Sequence, residues 1–399
     1  MTFPEILRKE FDKPLEFKYF LYLFFIIFVF DLTYLGSFMI FLLFLFFIIE
    51  KAGSGLKEIQ IPDFLQWIFL IFWGLFEVTQ SIVKSEAFFY YFVIIIIPFT
   101  IFVMFNNSKL SIKDLTSFFH MLFITGIILS ILSFFISAQI GFDLKKRIPS
   151  IWSHYNLVAA YFMVLLMFLL SFIVNTTNKR KKLFYIISFV IVLFGLFMTQ
   201  TRGIWLATLI GMMYYILRKP KLILPIFLTI LILTVLFYGV IMDRFTSVVN
   251  FGTDVSTLGR FQAWYASVLL IKENFLFGYG FDSFRYFRDS VITAFFVILP
   301  HPHNTYLTLI LDIGFIGFVF YISFYVKAFY YSFKMRKMST DPELNKFSDG
   351  LQLTFVGFII AFIFEPYFTV LGAITYMLWI LISISFYLKN HFNNRTDLQ

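Results

Sequence analysis

His301-Pro302-His303-Asn304 holds two of the chain's five histidines. Two imidazoles beside a proline, at the start of an apolar run, are placed to handle a proton. A histidine near a helix N-terminus is disfavoured as imidazolium by the helix dipole, so it tends to stay neutral, as a general base must. Zinc is the rival use, but it needs three or four ligands, and no further His or Cys stands near in sequence. Arg202, in Thr201-Arg202-Gly203, sits between two apolar runs. It reads as a charge snorkelling to the interface or as an anion site, since the guanidinium fork matches phosphate oxygens. A helix starting at Gly203 would add free N–H groups to the same spot. Arg260, after Gly259, has the same two readings, lipid headgroup or bound anion. Arg285 and Arg288, one turn apart if helical, are surface charges or contacts to an anionic substrate.

Ser153-His154-Tyr155-Asn156 opens another apolar run just after Lys145, Lys146 and Arg147. His154 and Asn156 read as a helix cap or as substrate contacts, and the basic run reads as solvated charge. Glu365-Pro366 closes a further run, and a carboxylate at a membrane boundary is costly unless paired or wet. If neither histidine is the base, Asp243, Asp254, Asp282 or Glu365 comes next. Phosphate-binding Arg combined with a neutral base suits displacement of a phosphate leaving group by an activated hydroxyl. No P-loop, His-Glu-x-x-His or Gly-x-Ser-x-Gly motif is present, and the absence of Cys removes thiol chemistry.

These residues are carried by a chain of 399 residues, 60% of them hydrophobic and 14% charged. Its mean hydropathy is +0.87, more apolar than a soluble domain needs. A membrane helix takes about 20 apolar residues. Apolar runs near 15–30, 34–49, 64–83, 87–105, 115–140, 154–174, 183–200, 203–217, 222–241, 304–329, 351–365 and 368–388 predict an all-α bundle of about 12 spans. The first run is too long for a cleavable leader and lacks a small-residue cleavage site. With the N-terminus inside and sides alternating, 22 of the 32 Lys and Arg fall on the inner side. That bias follows the positive-inside rule and gives the net charge of +9 a membrane reading rather than a nucleic-acid one.

The chain then divides into N-terminal spans (1–241), one large external loop (242–303) and C-terminal spans (304–399). Within the loop, 257–273 is an amphipathic helix with Phe261, Trp264, Tyr265, Val268 and Leu269 on one face, predicted to lie aromatics-down on the membrane. Gly278-Tyr279-Gly280 is a turn, and 291–299 is apolar but too short to span. Gly314 and Gly317 lie on one face of the next span, where close packing would fix the helix that presents His303.

The chain resembles the O-antigen ligase and O-antigen polymerase superfamily of bacterial envelope biogenesis. The motifs span about 150–320: His303-Asn304, then nine residues, then Gly314-x-x-Gly317; Thr201-Arg202-Gly203, with Thr where the family has Ser; Gly259-Arg260 with Trp264 and Gly278-x-Gly280; and His154-Tyr155-Asn156. The resemblance implies an inner-membrane glycosyltransferase with its site on the periplasmic face. The donor would be a glycan on undecaprenyl pyrophosphate, and the acceptor either lipid A–core (ligase) or a second lipid-linked repeat (polymerase). The His303 pattern is the one associated with ligases. Arg202 and Arg260 would hold the pyrophosphate and His303 would take the acceptor's proton, with His301, Asn304, Arg285, Arg288, His154 and Asn156 as substrate contacts. The reaction would be inverting, with no cofactor or metal. A protein O-oligosaccharyltransferase shares the motifs. A lipid-linked-glycan flippase would instead show paired repeats and charges deep in several spans, and the sequence shows neither.

Overall fold

The computed structural model describes residues 26–54, 59–108, 110–141, 146–236, 238–239, 242, 246, 255–292, 298–369 and 372–396. The N-terminal half of the first expected span, Lys145, Asp243, Asp254 and most of 291–299 lie outside the described residues. Every regular element among the described residues is a helix. In order they are α1 (Thr33–Ser54), α2 (Phe64–Gln80), α3 (Lys84–Asn106, with a π-turn at Phe92–Ile96), α4 (Ile112–Gln139) and α5 (Tyr155–Asn175). There follow α6 (Lys179–Thr199), α7 (Arg202–Arg218), α8 (Ile223–Leu236), α9 (Val255–Glu273), α10 (Phe284–Val291), α11 (Thr305–Met338), α12 (Pro342–Ala361) and α13 (Ala373–Thr396). Six are long and apolar enough to cross a bilayer: α3, α4, α5, α6, α11 and the stretch Ala373–Asn390 of α13. α2 and Tyr34–Ile49 of α1 are shorter apolar helices.

Caps set the helix ends. Ser111 and Asp114 form a reciprocal capping box at α4, Asn178 accepts from two N–H groups of α6, and Asp341 caps α12, with Pro342 in its first turn. α12 therefore begins nine residues before the apolar run expected from 351, because its first turns are polar yet buried. α5 is apolar on every side and is the core of the bundle, with Asn156–Phe172 buried throughout. α6, α7 and α12 pack around it, while α11 packs on α2, α12 and α13.

Charge separates to the two ends. At one end Arg336 pairs with Asp349 at 2.8 Å and Lys327 with Asp63 at 2.7 Å. At the other, the starts of α3, α5, α7, α11 and α13 meet the ends of α2, α6 and α12, as alternating spans require. Ser153 Oγ and the Ala373 N–H both donate to the Asp31 carboxylate there, at 2.8 and 3.1 Å, tying three chain turns together.

Two local expectations are corrected. Gly314 is not helical: its φ of 64° and ψ of 172° break α11, so Gly314 and Gly317 do not share a helical face. The break lets the 276–278 backbone approach. A Cβ on Gly314 would stand 2.2 Å from Leu276 O, and one on Gly278 would stand 2.5 Å from Gly314 N. Tyr279 N–H donates to Leu311 O and Phe315 N–H to Phe275 O, so the segment between α9 and α10 is laced onto α11. The second correction concerns α9. Its small residues Ala263 and Ala266, with Leu270, are buried against α10 and α11, while Phe261 and Tyr265 are exposed. Trp264 does not join that outer face: its indole N–H donates to Pro302 O at 2.9 Å and pins the histidine loop.

Candidate active site

The histidine loop is built from a strained turn. His303 sits in the left-handed region at φ 50°, which costs a non-glycine residue about 1–2 kcal/mol. Asn304 then caps α11, its Oδ1 accepting from Leu307 N–H at 3.1 Å. Thr305 locks the same corner to the end of α12, its N–H donating to Phe362 O and its hydroxyl to Glu365 O, both at 2.7 Å. Strain held in place by such bonds is how a protein fixes a reactive side chain.

The turn brings His303 Nδ1 to 2.9 Å from Glu365 Oε2. Glu365 is buried, with 3% of its surface exposed. Burial pushes its carboxyl up, but the His303 hydrogen bond and the positive charges of His303, His301 and Arg260 outweigh it and hold the group at about 2. Glu365 is thus an ionised acceptor for the Nδ1–H, so in the neutral imidazole the lone pair falls on Nε2. The partner that sets His303's tautomer is therefore this carboxylate rather than a helix dipole, since Asn304, not His303, caps the helix. A second donor, Asn156 Nδ2, reaches the same Oε2 at 2.8 Å.

Asn156 also leads outward to a polar pocket. Its Oδ1 accepts from Arg147 at 3.2 Å, and Arg147 further donates to Thr201 Oγ1 and Thr199 O, both at 3.3 Å. The Arg147 guanidinium lies 3.3 Å from the centre of the Tyr155 ring. Arg147, Arg202 and Arg260 together line the pocket with Asn156, Gln200, Thr201 and Tyr367. Arg202 is the first residue of α7, so the positive end of that helix's dipole lies at the same pocket. Gly203 is needed here because a Cβ would stand 2.7 Å from the Phe364 ring that closes the wall. Three guanidiniums and a helix start form a site for a polyanion.

The structure therefore brings Arg202, Arg260, Asn156, His301 and His303 to one end of the bundle and adds two residues. Glu365 was only a reserve base in the sequence, and its distance of 62 residues from His303 hid the pair. Arg147 is corrected from a solvated charge to a half-buried residue of the pocket wall, because the loop before α5 folds back over Thr199–Thr201. His154 caps α5, its Nδ1 accepting from Asn156 N–H at 3.2 Å. Burial first, and then Arg147 and the other nearby cations, lower its pKa. His301 packs against His303 with ring centres 4.2 Å apart and planes tilted by 51°, and its Nδ1 accepts from the His303 backbone N–H at 3.3 Å. Burial, then the neighbouring His303, lowers His301 to about 4. Arg285 is paired with Asp282 and Glu86, away from the three-arginine pocket. Arg288 is spent on Leu299 O, bracing the approach to the histidine loop. Asn304 spends its side-chain oxygen on the cap.

The fold also supplies a third potential metal ligand that sequence spacing did not. His301, His303 and Glu365 each bring one ligand atom within 4.8 Å of the others. Both histidine Nδ1 atoms are already engaged, and Arg147 and Arg260 charge the surroundings positively, an environment unfavourable to a dication.

Residues 187–322 match the Wzy_C family, described as O-antigen ligase. The match takes in Arg202, Arg260, Arg285, Arg288, His301, His303 and Asn304, while Arg147, His154, Asn156 and Glu365 lie outside it. No curated protein matches the chain.

Proposed function

We propose, for a multi-pass membrane chain whose residues 187–322 match the O-antigen ligase family, that it transfers a glycan from undecaprenyl pyrophosphate to an acceptor sugar hydroxyl. The acceptor in this reading is lipid A–core, which makes the protein an O-antigen ligase of the bacterial inner membrane, working on the periplasmic face. The observation that carries the reading is the His303–Glu365 pair set beside a pocket of three arginines.

The acceptor oxygen attacks the anomeric carbon as its proton passes to His303 Nε2. The bond from that carbon to the phosphate oxygen breaks, and undecaprenyl pyrophosphate leaves with the electron pair. One displacement inverts the anomeric centre. Negative charge grows on the leaving group in the transition state, so pre-placed guanidiniums stabilise that state more than the ground state. Glu365 stays ionised, holds Nδ1–H and stabilises the imidazolium that forms. The resident cations serve the electrostatic role a metal would otherwise fill, so the reading is metal-independent.

The test is the glycan pattern of a deletion strain. Loss of all long-chain lipopolysaccharide with lipid-linked polymer accumulating supports the ligase. A single repeat unit left on the core would instead identify a polymerase, which the same geometry would serve.

A further inference from the structure

We propose that a second cavity, walled in part by His301 and separate from the arginine pocket, binds the acceptor sugar. The inference rests on the glycosyltransferase reading above. The cavity holds about 320 Å³, and its walls include His301, Asp312, Thr308, Thr369, Tyr90 and Arg285, together with three prolines. Small-molecule sites begin at about 300 Å³. It shares no lining residue with the arginine pocket.

The His303–Glu365 pair is linked to both spaces through its neighbours, although neither residue is itself a wall of either one. Asn156, bonded to Glu365, lines the arginine pocket, whereas His301, packed against His303, and Pro366, next to Glu365, line the cavity. An in-line displacement needs the leaving group and the attacking hydroxyl on opposite sides of the anomeric carbon, with the base beside the hydroxyl. Two separate spaces, each reached through a direct neighbour of the His303–Glu365 pair, suit that need.

The walls suit a neutral, hydroxyl-rich ligand. Arg285 is neutralised by Asp282 and Glu86, so the cavity offers a pyrophosphate no spare cation. Asp312 is 3% exposed, and among the described residues its carboxyl takes a single hydrogen bond, from Asp282 N–H at 3.1 Å. A buried carboxyl with capacity left over is costly unless a ligand uses it, and sugar hydroxyls both donate and accept. His301 Nδ1 is an acceptor from His303 N–H, which leaves Nε2–H as a donor on the same wall. Thr308 and Thr369 add hydroxyls, and Tyr90 with the prolines gives the apolar surface that binding sites combine with a few polar groups.

The test is direct binding by the full-length protein in lipid nanodiscs. The probes are deacylated core oligosaccharide, the repeat-unit oligosaccharide and the undecaprenyl-pyrophosphate donor. Asp312→Asn and Thr369→Val should each weaken binding of the acceptor oligosaccharide about 10-fold, roughly one hydrogen bond's worth, and leave donor affinity within about twofold. The oligosaccharide that shows the loss identifies the acceptor as core or repeat. If Asp312→Asn does not fold, Thr369→Val alone decides. Unchanged acceptor binding in the folded variants, a loss confined to the donor, or no oligosaccharide binding by the wild type overturns the inference. If binding behaves as expected but the wild type transfers nothing, the acceptor site stands and the transferase reading fails.

Discussion

His303 Nδ1 and Glu365 Oε2 are 2.9 Å apart, joining the start of α11 to the end of α12 across 62 residues of chain. The carboxylate does two things for the imidazole: it selects the tautomer with a free Nε2, and it stabilises the positive charge the base acquires. Glu365→Gln keeps the shape and removes the charge. Transfer by this variant should fall about 10²–10⁴-fold, with donor binding within about twofold. Separate transfer and donor-binding assays check it. Near wild-type transfer would remove Glu365 from the mechanism.

The arginine pocket predicts that lysine is no substitute. Arg147→Lys, Arg202→Lys and Arg260→Lys each keep the charge but lose the planar fork. Each should cut transfer at least about 10-fold at unchanged membrane abundance, since a hydrogen bond to a charged group contributes about 1.5–3 kcal/mol. Arg147→Lys is the most informative, because Arg147 also orients Asn156. Full activity in all three would reduce them to ordinary interfacial charges.

The chain's sequence carried much of the helical architecture in its apolar runs, because an apolar helix is a local signal. Arg202, Arg260 and His303 were legible for a similar reason: each sits at the edge of an apolar run, where charge has a cost. Glu365 and Arg147 were obscured because their roles depend on partners far along the chain, and spacing says nothing about which turns meet. Trp264 was misassigned because amphipathic periodicity identifies a face without saying whether lipid or protein covers it. The break at Gly314 was hidden by the apolar residues on both sides, which continue a helical pattern straight through it.

The metal-independent reading is checked by chelation. Purified protein in excess EDTA should retain most of its transfer from the lipid donor, because the guanidiniums supply the positive charge. Activity that vanishes and returns only with magnesium, manganese or zinc would turn the His301, His303 and Glu365 cluster into a metal site.

His301 should shape the pH dependence of stability. Its folded-state pKa is lowered to about 4 against 6.5 in the unfolded chain. Between those values the unfolded state binds more protons, so stability rises with pH across the window and falls as pH drops from 6.5 towards 4. Glu365 works lower: its folded value of about 2 against 4.5 contributes stability that is present above 4.5 and lost as pH falls towards 2. Thermal melts from pH 7 to 4 should show the first decline, and His301→Gln should flatten it. An equal decline in the variant assigns it to other groups.

The central claim is that His303 is the base and the arginines hold the donor. The most direct measurement is His303→Ala, assayed in parallel for donor binding and for glycan transfer in liposomes. The account predicts a loss of about 10²–10⁴-fold in transfer, the usual contribution of a positioned base, with donor affinity unchanged. Normal transfer by His303→Ala, above all if His301→Ala is inactive, would contradict it.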